Sequence, residues 1–175
     1  MVNSADDAIP VEIAREIARQ GEVRLAALLA VATAADLRAT TISGIFGAGA
    51  VGMTAATLAV MVSGHGKAAL LAGGLVVSVG LLLAAAIAAK SAAPADFYLG
   101  GGDPGTLRNW CWSNAHWRSE VDLLDGTAIR YDQSITKNAT ILGANARLFN
   151  TALFVAGAVP VIAALLVVAL RFCGF

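Results

Sequence analysis

Three long stretches without an ionisable side chain constrain this fold more than any other feature. Residues 39–64 run for 26 positions without one, residues 68–89 for 22 and residues 148–170 for 23. As helices rising about 1.5 Å per residue, each reaches across the roughly 30 Å hydrocarbon core of a bilayer. A charge at the centre of such a helix would cost about 2.5–3.5 kcal/mol of insertion free energy. None is present. The alternative is a soluble bundle that buries all three runs on every side beneath the rest of the chain. Composition argues against it: 58% of the 175 residues are hydrophobic and 14% are charged, whereas soluble domains are about a quarter charged. A domain of this size also leaves about a third of its chain surface in water. The expected fold class is an all-α membrane protein with three transmembrane helices and long cytoplasmic helical extensions. A fourth apolar run, residues 25–35, is held to 11 positions by Arg24 and Asp36, too short to span.

The charge balance excludes several function classes. Twelve basic and twelve acidic residues cancel, so no basic footprint for nucleic acid exists. Two cysteines, Cys111 and Cys173, make no disulfide framework. The start, MVNSADDAIP, is acidic and polar, unlike a signal peptide, so insertion is expected to use the internal runs.

The spans divide the chain into six parts. They are a cytoplasmic N-terminal helix (1–38), a transmembrane hairpin (39–89), an irregular aromatic loop (90–116), a stalk helix (117–147), the third span (148–170) and a short external tail (171–175). The hairpin turns at His65-Gly66-Lys67. Three spans put residues 1–38 and 90–147 on one side, and ten of the twelve basic residues fall there, with only Lys67 and Arg171 opposite. Cytoplasmic loops hold the positive excess. The expected orientation is thus N-terminus cytoplasmic and C-terminus external.

From residue 11 to 38 the chain has no proline and one glycine, Gly21, so a helix is expected to continue into the first span. Glu12 and Arg15 are spaced to pair across a turn, and Ile9, Ile13 and Ile17 repeat every four residues as an apolar face. The loop offers Phe97, Tyr98, Trp110 and Trp112 as interfacial or packing anchors. Beyond it, Trp117, Val121, Leu124, Ala128, Tyr131, Ile135, Asn138, Leu142, Asn145 and Phe149 recur at alternating four- and three-residue steps. That is a packing seam of period 3.5, on a stalk roughly 45 Å long. Asn138 and Asn145 are either register-fixing seam residues or the exposed edge of a less regular helix. Gly126 and Gly143 weaken that helix by about 1 kcal/mol each.

In the first span Gly44, Ala48, Gly52 and Ala56 recur every four residues, flanked by Ser43 and Gly47. Small residues at this spacing let two backbones approach closely in lipid, where helices associate by van der Waals contact. The partner is another span of the chain or a second copy. The same stretch reads literally as G-x-G-x-x-G over Gly47 to Gly52. A dinucleotide fingerprint needs a preceding strand, so that its backbone N–H groups meet pyrophosphate at a helix N-terminus. None precedes it here.

Other motifs carry no chemistry. Ser134-Ile135-Thr136-Lys137 matches S-x-x-K without its companion motifs. Asn138-Ala139-Thr140 is a sequon on the wrong side for glycosylation. His116, Glu120 and Cys111 fall short of a convergent zinc set, and His65 stands alone. No nucleophile–base pair can be assembled, so no enzyme and no cofactor are expected. Thr54, Thr57, Ser78 and Asn150 are the candidate polar groups inside the spans, placed to face one another or water, although hydroxyls there commonly bond to their own backbone. Pro160 is expected to kink the third span.

Three stretches resemble the Pycsar transmembrane effector family and the related small membrane effectors of bacterial nucleotide-signalling defence. They are Ala34-Ala35-Asp36-Leu37-Arg38-Ala39 before the first span, the aromatic loop at Phe97-Tyr98, and Tyr131-Asp132-x-x-Ile135-x-x-Asn138 on the stalk. Arg38 stands where that family has Lys, and no separate nucleotide-sensing domain is present. The resemblance implies an oligomeric inner-membrane protein that impairs the membrane on arrival of a cyclic nucleotide, or here of a cytoplasmic partner. Asp36 and Arg38 also read simply as an interfacial charge pair whose long side chain snorkels. The alternative is a small membrane scaffold or accessory subunit docking a cytoplasmic protein. A transporter is disfavoured, because the spans hold no charge for a substrate or proton path.

Overall fold

The computed structural model describes residues 10–64, 68–93, 96–99 and 119–173, and the described residues form three α-helices and no strand. Helix α1 spans Val11–Val62, α2 spans Ala68–Ser91 and α3 spans Glu120–Phe172. All three are long and apolar enough to cross a membrane. Trp110, Trp112, Trp117, His65, Cys111, His116 and Ile9 lie outside the described residues.

Local chemistry sets the helix ends. The Pro10 carbonyl accepts from the N–H groups of Ile13 and Ala14 at 3.0 and 3.1 Å, starting α1. Gly64, with φ +66°, stops it just past Ser63, using the left-handed conformation that glycine adopts without steric cost. A capping box opens α3: the Asp122 N–H donates to Ser119 Oγ at 3.1 Å and the Ser119 N–H to Asp122 Oδ2 at 3.2 Å. Each side chain satisfies a donor the helix cannot. Helix α3 then continues through Gly126, Gly143 and Pro160.

The chain forms two compact units, Met1–Ala32 with Ala95–Leu142, and Thr33–Pro94 with Gly143–Phe175. In the first, the early part of α3 does not stand alone as a stalk; it packs on the N-terminal part of α1. Arg15 is ion-paired with Glu120, and Tyr131 lies against Gly21. Both contacts advance together, so the two segments run parallel. The inward positions of α1 are Ala14, Ala18, half-buried Gly21 and Leu25, whereas Ile13 and Ile17 are 52% and 49% exposed. The isoleucine repeat is therefore not the packing face. At Gly21 the residue must be small because the Tyr131 ring occupies the space beside the α1 backbone. Arg15 makes its direct ion pair across to Glu120 of α3, with the Glu12 charge a weaker influence.

The second unit is an up-down-up helical bundle. Ala69, Gly73, Ala84 and Ala88 are buried along one side of α2, and its glycines seat larger partners. A Cβ on Gly73 or Gly80 would overlap Val167 or Val159 of α3, and one on Gly74 would overlap the Thr57 hydroxyl of α1. Ser43 Oγ donates to the Ala85 carbonyl at 2.9 Å, tying α1 to α2. On α3, Ala152, Val159 and Ala163 are buried and Phe149, Ala156, Leu166 and Leu170 half-buried. The 3.5-residue period therefore persists through the apolar run.

Outside these faces the helices expose apolar surface. In the most apolar 18-residue windows of α1, α2 and α3, only 6%, 22% and 11% of residues are buried. Eighteen large hydrophobic residues within the three charge-free runs are exposed, Val51 at 67% and Phe154 at 76% among them. At roughly 1.5–3 kcal/mol for each such side chain left in water, the penalty exceeds the roughly 5–15 kcal/mol that stabilises a folded domain. Lipid contact removes that penalty.

Candidate functional site

The polar centre of the first unit is built on α3. Seam positions Val121, Leu124, Ala128, Tyr131 and Leu142 are half-buried, and Ile135 and Asn138 are buried. Asn138 is 0% exposed, the register-type placement and not the exposed edge. Its carboxamide grips one backbone unit. The Tyr98 N–H donates to Asn138 Oδ1 at 2.9 Å, and Asn138 Nδ2–H donates to the Tyr98 carbonyl at 2.9 Å. A buried amide left unpaired would cost about 1–3 kcal/mol, so the segment at residues 96–99 completes the seam. Lys137 Nζ sits 4.4 Å from the centre of the Tyr98 ring, a cation–π geometry. Phe97 is half-buried, while Tyr98 and Leu99 remain exposed at the side chain.

Ionic contacts flank this centre. Arg19 donates to Glu16 through Nε at 2.8 Å and through a second guanidinium nitrogen at 2.7 Å, and Gln20 adds a bond at 3.0 Å. Hydrogen bonds from Arg19 and then Gln20 hold the Glu16 carboxyl down at about 2. The Glu120 hydrogen bond and charge raise the Arg15 guanidinium above its usual value. Burial, and secondarily the Glu22 charge, pushes the Tyr131 phenol up.

The small-residue stripe lies in the second unit. Gly44, Ala48, Gly52 and Ala56 are all exposed, and a Cβ added at Gly44 or Gly52 would meet nothing within 4 Å. Among the described residues, the stripe therefore has no partner span within the chain. The close glycine packing that does occur uses Gly73, Gly74 and Gly80. Sequence reasoning passed over these three, although the seven-residue spacing of Gly73 and Gly80 was there to read.

Asp36 is half-buried and Arg38 exposed, and Asn145 is half-buried. Thr54, Thr57 and Ser78 donate to the carbonyls of Ala50, Met53 and Gly74, each four residues back. Among the described residues no group of three His, Cys, Asp or Glu is placed to hold a metal. No family model, curated protein or solved structure matches the chain.

Proposed function

We propose that the chain is an oligomeric bacterial inner-membrane effector that impairs membrane integrity in nucleotide-signalled anti-phage defence, triggered by a cyclic nucleotide or a cytoplasmic protein. The observation that carries this reading is the open face of Gly44, Ala48, Gly52 and Ala56, in a charge-free segment with no partner among the described residues. In lipid such a face associates through close backbone approach, and a second copy supplies the matching surface. The Tyr131, Ile135 and Asn138 seam is occupied within its own unit, so self-association falls to α1. The N-terminus is cytoplasmic in this reading, following the basic-residue excess.

Controlled expression with a potential-sensitive dye tests it. Wild-type chain depolarises the cells, and Gly52→Leu inserts equally but leaves them polarised. Equal depolarisation by the variant removes the stripe from the mechanism. Polarised cells at every wild-type level favour the second reading, a non-catalytic scaffold docking a cytoplasmic partner. A groove of about 460 Å³ in the first unit, lined by Ile17, Gln20, Arg24, Asp132 and Ile135 among others, supports that alternative.

A further inference from the structure

We infer that residues 96–99 form a releasable strap, latched to α3 by the Asn138 carboxamide, and that release of this latch is the regulated step of the effector proposed above. The functional half rests on that reading; the latch itself does not.

The contacts are few and of one kind. No helix or strand includes residues 96–99, and the side chains of Asp96, Tyr98 and Leu99 are exposed. The described attachments are the two 2.9 Å amide bonds to Asn138, the half-buried Phe97 ring and the Lys137 contact with Tyr98. Each net hydrogen bond is worth roughly a factor of five in an equilibrium constant. The pair contributes a factor of about 30 in favour of the docked strap. That is the range in which a ligand or partner binding one state shifts the equilibrium between two conformations.

Asn138 also explains why the latch opens without unfolding the helix. It replaces an apolar residue on the seam between Ile135 and Leu142, and its amide is paired only while Tyr98 is docked. When the strap leaves, water takes over both bonds. Because Asn138 binds backbone atoms, the latch senses the conformation of residue 98 and not its side chain.

Hydrogen exchange of the full-length protein in detergent micelles tests this. The Tyr98 amide is expected to exchange about 30-fold more slowly than an unprotected amide. Asn138→Leu, which removes the acceptor of the Tyr98 N–H, should abolish that protection while the α3 amides from Ile129 to Thr136 stay protected, showing that the helix persists. Tyr98→Ala keeps the backbone partners and should retain protection within about threefold. An unprotected Tyr98 amide in wild type, or equal loss in Tyr98→Ala, overturns the latch. In cells, Asn138→Leu should depolarise at a lower inducer level than wild type. An unshifted threshold alongside lost protection overturns the regulatory role. A wild type that never depolarises refutes the effector reading, and with it the regulatory role, while the exchange result still decides whether the latch exists.

Discussion

Gly21→Ala and Gly143→Ala are the same substitution in long helices, and the structure assigns them opposite signs. In a helix interior alanine is favoured over glycine by about 1 kcal/mol. At Gly143 a Cβ meets nothing within 4 Å, so that gain is realised. At Gly21 the new Cβ would lie 2.9 Å from Cδ2 of Tyr131, 3.1 Å from its Cβ and 3.3 Å from its Cγ. Turning the ring does not relieve the last two contacts, because those atoms barely move with χ2. The helices must separate, and overpacking of this kind costs about 1–3 kcal/mol. The net effect is a loss of about 1 kcal/mol, set against a gain of similar size at Gly143. For a chain of this length 1 kcal/mol moves a melting midpoint by about 2–4 °C. Circular dichroism melts in one detergent should show Gly21→Ala falling and Gly143→Ala rising. In a Tyr131→Ala background the clash is gone, so Gly21→Ala should turn stabilising, giving a coupling of about 2 kcal/mol. A midpoint that rises equally in both single variants refutes the close approach of Tyr131 to α1.

Other expectations follow from the same geometry. Gly80→Leu, driven into Val159, should leave membrane insertion intact yet make the hairpin protease-sensitive; unchanged resistance would show that α2 and α3 do not pack there. Glu16 ionises more readily folded than unfolded, so its contribution is present above about pH 4.5 and fades as pH falls towards 2. The stability difference between wild type and Glu16→Gln should shrink over that window, small at any pH because the pair is exposed and screened. Tyr131 shifts the other way: its neutral form is favoured, so its contribution holds below pH 10 and is lost at higher pH. In an ultraviolet titration, the phenol transition that wild type shows and Tyr131→Phe lacks should lie above the ordinary phenol range.

The fold class was legible because three uncharged runs leave a chain little choice of medium. The seam was legible where polar residues interrupt it, from Val121 to Phe149, and invisible beyond, where every position is apolar and periodicity carries no contrast. Side-chain size misled the reading of α1. Ile13 and Ile17 are greasy yet exposed, while Ala14, Ala18, Gly21 and Leu25 face inward, Gly21 because the Tyr131 ring leaves no room for a Cβ. The Asn138 clamp was half legible. Its place on the seam marked it as unusual, but a partner forty residues away, supplied by backbone atoms, leaves no pattern in the sequence.

The hydroxyls of the second unit carry a last consequence. Thr54, Thr57 and Ser78 each direct their hydrogen at the carbonyl one turn back, so none offers it to a file of water. These three donors are therefore spent within their own helices. For the effector proposed above, a leak would then open where separate copies meet, and conductance should rise with a power of protein concentration above one.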